Sequence, residues 1–133
     1  MSDIELHRVD VMPDQESVTA SIPRAMGFLL TRLLSQGQGL LYAEWDRVEP
    51  EVAWYVRKRE PEREGEDLVL ATLPAGLFSS MIARLALTFD IDYTSSGYGK
   101  RTMLFEGRRY QCIVFLSKCA ATGYWIRVYA AAA

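Results

Sequence analysis

One histidine, two cysteines and five prolines in 133 residues leave little room for several common chemistries. The single imidazole, His7, belongs to the N-terminal stretch, and neither Ser79-Ser80 nor Ser95-Ser96 lies in a GxSxG elbow, so a serine nucleophile has no base. Cys112 and Cys119 cannot complete a four-ligand zinc site without carboxylates or His7. A buried Cys112 in a strand reads as a small hydrophobe rather than a redox group. The longest apolar runs, "FLL" and "CIVFL", are too short to cross a bilayer, and "MSDIELHRVD" has no basic-then-apolar signal pattern. The expectation is therefore a cytoplasmic protein without membrane insertion. The phosphate-loop spacing GxxxxGK[ST] is missing, and there is no basic excess: net charge is −2, although twelve of the fifteen basic residues are arginine. No nucleic-acid partner is expected.

What is present is the composition of a folded domain, half apolar and 24% charged. Residues 1–20 read as a loose N-terminal arm, with a short strand in "IELHRVDV", and residues 21–130 as one α+β domain. A helix is predicted over about 22–36, with Ser21 as cap, Pro23 in the first turn, and Ile22, Met26, Leu29, Leu30, Leu33 and Leu34 on one stripe. "LLYAEWD" and "EVAWYVRKRE" read as strands joined through "DRVEP", and "LVLAT", after the charged turn "PEREGED", as a third. Pro74 opens a second helix to about Thr88, with Leu77, Phe78, Met81, Ile82, Leu85 and Phe89 at three- and four-residue steps. "DIDYTSSGYG" reads as a loop, and Glu106-Gly107 as the tight turn of a hairpin. "YWIRVYA" is the last strand. The order α-β-β-β-α-β-β-β predicts an antiparallel sheet of about six strands with two helices on one face.

Few motifs carry chemistry. "GYGKRT" places Lys100 and Arg101 beside glycine amides, which suits an anion, yet it enters a strand and lacks a helix dipole; a helix-to-strand connection explains it equally. Asp90 and Asp92 flank Ile91 and suit either an acid pair or a helix-exit turn. Arg57 and Arg59 share one strand face, and together with Arg101 they form a candidate grip for a phosphate or carboxylate, or a solvent-facing row. Trp45, Trp54, Tyr55 and Trp125 suit sheet packing or the lining of a ligand chamber.

The order of segments resembles the domain that precedes the motor core in type II secretion and type IV pilus assembly ATPases. That family reads roughly "ASDIHIEP", "VRYRIDG", "ARLKVMAGLDI", "RRPQDGR" and "GREVDLRVS". This chain has "GQGLLYAEWD", "WYVRKRE", "LPAGLFSSMIARLALTFDID", "TSSGYGKR" and "GRRYQCIVF" in that order, across residues 20–129. The resemblance implies a PAS-like fold and places phosphate-touching arginines at Arg57, Arg59 and, through "GYGKR", Arg101 with its neighbour Lys100. The chain departs from the pattern where Glu60-Pro61 replaces Asp-Gly, where Pro-Gln is missing from the loop, and where Ile113 stands for the hairpin arginine. No P-loop follows.

These readings combine into a non-catalytic interaction or regulatory module, needing no cofactor or metal, whose partner is a protein: a secretion or pilus ATPase, or a second copy of itself. The alternative is a PAS-like sensor enclosing a small ligand between sheet and helices, lined by Trp45, Trp54 and Trp125.

Overall fold

The computed structural model describes residues 3–12, 18–59, 64–92, 96–119 and 123–133. Helix α1 (Val18–Ser35) begins at Val18 rather than at about 22, so Pro23 lies inside it. A proline there loses the bond to the carbonyl four residues back and its ring crowds that carbonyl, a cost that burial of the apolar stripe offsets. Met26, Leu29, Leu30, Leu33 and Leu34 are all buried.

Strands β2 (Gly39–Trp45) and β3 (Glu51–Arg59) form the expected hairpin. Its turn is set by Asp46, whose Oδ1 accepts the N–H groups of Val48 (2.8 Å) and Glu49 (2.9 Å). Strand β4 (Glu64–Pro74) is longer than "LVLAT" and pairs with β3 along its length, with register shifts opposite Trp54/Tyr55 and Arg57/Arg59. Such bulges are common on edge strands, which β4 is. Residues 60–63, which include the start of the charged turn "PEREGED" predicted between them, lie outside the described residues.

Pro74 leads into a 3-10 turn (Ala75–Leu77) and then helix α2 (Phe78–Phe89). The helix stops where Asp90 turns left-handed (φ 54°) and the Ile91 N–H reaches back to the Ala86 carbonyl at 2.8 Å. Strands β5 (Ser96–Phe105), β6 (Arg108–Cys119) and β7 (Gly123–Ala132) complete the fold. Glu106 (φ 51°) and Gly107 (φ 78°) form the predicted two-residue turn between β5 and β6.

The stretch read as a glycine loop is a correction, because Ser96-Gly97-Tyr98-Gly99 is the start of β5. The glycines serve a close crossing. A Cβ on Gly99 would stand 2.6 Å from the Phe89 carbonyl oxygen, and one on Gly97 2.6 Å from that of Asp92. Only glycine lets the strand pass the exit of α2 at this distance.

The sheet has seven strands rather than six, in the order β1-β5-β6-β7-β2-β3-β4. The added strand, β1 (Ile4–Glu5), pairs parallel with β5, so the sheet is mixed rather than wholly antiparallel. Residues 3–12, expected as a loose arm, are tied down. Leu6 N–H bonds the Leu104 carbonyl, Arg8 meets Glu106 at 2.7 Å, Arg109 meets Asp3 at 3.0 Å, and Val9 N–H bonds Thr31 Oγ1 on α1.

Topologically the chain is α-β-β-β twice, laid head to tail so that β7 joins β2. Both helices contribute to one core on one side of the sheet, where Trp54, Phe78, Leu29, Leu33, Met81 and Ile82 are fully buried. Among the described residues no helix is long and apolar enough to cross a membrane.

Candidate functional site: the open face of the sheet

Alternation along each strand sends half its side chains to the helix-covered core and half to the other face, which neither helix covers. On β3, Val52, Trp54 and Val56 point into the core while Ala53, Tyr55 and Arg57 point out. Register then aligns the outward residues into rows. One row crosses six strands as Tyr98, Phe115, Arg127, Tyr42, Tyr55 and Val69. The next runs Lys100, Ile113, Tyr129, Leu40, Arg57 and Asp67. Five spacings of about 4.8 Å make each row about 24 Å long.

The rings in these rows touch one another. Tyr98 stacks on Phe115 at 5.8 Å between centroids, Phe115 meets Tyr129 edge-on at 5.9 Å, and Tyr42 stacks on Tyr55 at 5.2 Å. Tyr98 is 70% exposed, Val69 59%, Tyr129 42% and Phe115 36%. Large apolar side chains this open, in contact, and on one face form a patch of the kind that marks an interaction surface.

The predicted site residues are not brought together. Arg57 lies on the open face, where its Nε and a terminal nitrogen donate to Asp67 Oδ1 (2.7 Å) and Oδ2 (3.2 Å). The Tyr42 hydroxyl donates to the same carboxylate at 2.6 Å. Hydrogen bonds from Arg57 and then Tyr42 hold the Asp67 carboxyl below its ordinary range, while desolvation first, and the bond to Asp67 second, push the Tyr42 phenol up. Lys100 is on the same face, four strand spacings or about 19 Å from Arg57. Arg101 has the opposite parity and points to the helix side, where a terminal nitrogen donates to the Thr88 carbonyl at 3.0 Å and satisfies the last turn of α2. The Arg59 side chain lies outside the described residues. Arg57 and Arg101 therefore cannot close on one phosphate.

The other candidates are equally dispersed. Ser79 and Ser80 are exposed at the start of α2, apart from exposed His7 in the N-terminal stretch, and Ser95 lies outside the described residues. Asp90 and Asp92 are exposed on either side of buried Ile91, as a helix-exit turn requires. Cys112 faces the core, and burial pushes its thiol up to about 12, an unreactive value. The Cys119 side chain lies outside the described residues. Among the described residues no cluster of three or more His, Cys, Asp or Glu fits a metal ion.

The tryptophans expected to share a chamber are divided as well. Trp54 fills the core against Phe78 (6.0 Å), Trp45 bridges from the end of β2 to Phe78 and Tyr124, and Trp125 is on the open face beneath Arg127, whose guanidinium carbon is 4.5 Å from its ring centre. Trp45 and Trp125, without Trp54, line a groove of about 580 Å3 beside the 46–50 turn, walled also by Tyr42 and Tyr55 and bordered by Glu44, Asp46, Glu49 and Glu51. Sequence reading missed Tyr98, Phe115, Tyr129, Tyr42 and Arg127. The signal was the outward half of each alternating strand, which carries rings where a solvated sheet carries polar groups. No protein-family model matches the chain, and no curated protein matches it either.

Proposed function

We propose that the chain is a non-catalytic interaction or regulatory module that docks a protein partner on the open face of its sheet. The observation that supports this is the row Tyr98-Phe115-Arg127-Tyr42-Tyr55-Val69, four rings, a guanidinium and a valine held in register across six strands, with no helix of the described residues packed on it. Rigid aromatic side chains on regular strands are economical anchors, because little rotamer freedom is lost when a partner covers them. The partner proposed is a type II secretion or type IV pilus motor ATPase, or a second copy of this chain, from the resemblance in segment order; the PAS-like classification belongs to the same reading. The phosphate-touching role does not, since Arg57 is engaged with Asp67 and Arg101 with Thr88.

The test uses the full chain, alone over a range of concentrations and mixed with a purified motor hexamer of that family. Association is followed by light scattering, and ATP turnover is measured in parallel. Association in at least one arm, abolished in a Tyr98→Ser/Phe115→Ser variant that stays folded, is the expected result. Turnover by the chain alone, or association that survives the double substitution, would overturn the reading. A small-ligand sensor is a second reading, supported by the groove of about 580 Å3, which opens on the outer face rather than between sheet and helices.

A further inference from the structure

The open face is not uniform in charge. The groove at its 46–50 end is lined by Glu44, Asp46, Glu49 and Glu51 and by Arg127, which pairs with Glu44 at 3.7 Å, a formal balance of −3 among the lining residues. The whole chain carries only −2, so the groove concentrates more than the entire net charge in one place. Its walls are rings, and the chain itself seats guanidiniums on rings in and around it. Arg127 is 4.5 Å from the Trp125 ring centre, Arg47 5.0 Å from Tyr124, and Arg57 5.9 Å from Tyr42. Ring faces attract cations, and a carboxylate border adds a second attraction of the same sign. The backbone bonds from Glu49 first, and Val48 next, hold Asp46 below its ordinary range.

From this we infer that the groove seats an arginine or lysine side chain carried by the docking partner, an inference that rests on the docking reading above and names what the partner must present. A planar or extended cation with several N–H donors matches a site whose border carries four carboxylates beside Arg127 and whose walls are π-faces. An anionic segment would meet a border that stays net negative even with Glu44 paired to Arg127 at 3.7 Å, which selects against such partners.

The probes are a tri-arginine peptide, a tri-glutamate peptide and free tetramethylammonium, titrated into the full chain while tryptophan fluorescence is followed. Saturable binding of the basic peptide alone is expected, weakening with salt. Glu49→Gln/Glu51→Gln, on an exposed turn and strand start, should weaken it about fivefold or more, the scale of two near-surface charges. The same charge change made elsewhere, Glu5→Gln/Asp90→Asn, should leave it unchanged. Absent binding, equal binding of tri-glutamate, or equal losses in the two double variants would overturn the site. Tetramethylammonium binding as tightly as the peptide would overturn the partner side chain in favour of a free cation. If the basic peptide fails while Tyr98→Ser/Phe115→Ser still abolishes docking, the cation seat is wrong and the docking face stands.

Discussion

The two faces of this sheet are built from alternate residues of the same strands, yet they answer to different demands. On the covered face, Val52, Trp54, Val56, Val114, Leu116, Ile126 and Val128 are apolar without exception and almost entirely buried. On the open face, their immediate neighbours Tyr55, Arg57, Phe115, Trp125, Arg127 and Tyr129 mix rings with guanidinium groups and keep partial access to solvent. A sheet face meant only for water tends to be polar, and one meant for a core apolar; a face of stacked rings interleaved with arginine is intermediate, as protein interfaces are. The difference teaches that the covered face carries the fold and the open face is available to carry function.

Neighbouring substitutions across that divide test it most sharply. Trp54→Ala removes a fully buried ring packed on Phe78 and should cost about 3–5 kcal/mol. Tyr55→Ala, one residue on, loses its stack on Tyr42 at a part-exposed site and should cost about 1 kcal/mol. Urea denaturation of the pair measures the contrast. Equal costs would mean that the open face is as much a part of the core as the covered one.

Gly99→Ala is the next largest break. Its methyl group would press on the Phe89 carbonyl and on Ile91, backbone and buried side chain that have little space to yield, for a loss of about 1–3 kcal/mol. The outward neighbour Tyr98→Ala should cost less than half as much. A Gly99→Ala variant with unchanged urea midpoint would show that β5 does not cross the helix exit this closely.

What the sequence disclosed and what it hid follow the same division. The α2 face was legible because Phe78, Met81, Ile82, Leu85 and Phe89 repeat at helical steps, and the Glu106-Gly107 turn because left-handed φ at both positions has a short sequence signature. The start of β5 was misread because glycine is both the residue of loops and the residue of close approach, and only the position of the α2 exit decides between them. The open face was hidden for a further reason. Its rows depend on β7 lying beside β2, a pairing between residues 79 to 91 positions apart in sequence that leaves no local trace. The Arg57–Asp67 bond depends likewise on the register of the β3–β4 pair, with its bulges.

That bond yields the smallest effect, and one confined to the open face. Asp67 is held below its ordinary carboxylate range by Arg57 first and Tyr42 second, so its folded value lies under that of the unfolded chain. A depressed acid contributes stability that is complete above the unfolded value, about 3.9, and is lost as pH falls through the folded one. Asp67→Asn should therefore destabilise the chain at neutral pH, by less than about 1 kcal/mol because both partners are a third exposed. The gap between wild type and variant should narrow as pH drops below the ordinary aspartate value. Urea midpoints at pH 7 and pH 3 measure it. A gap that stays constant would mean that Asp67 acts through packing rather than through its charge, and that Arg57 is not held in place by it.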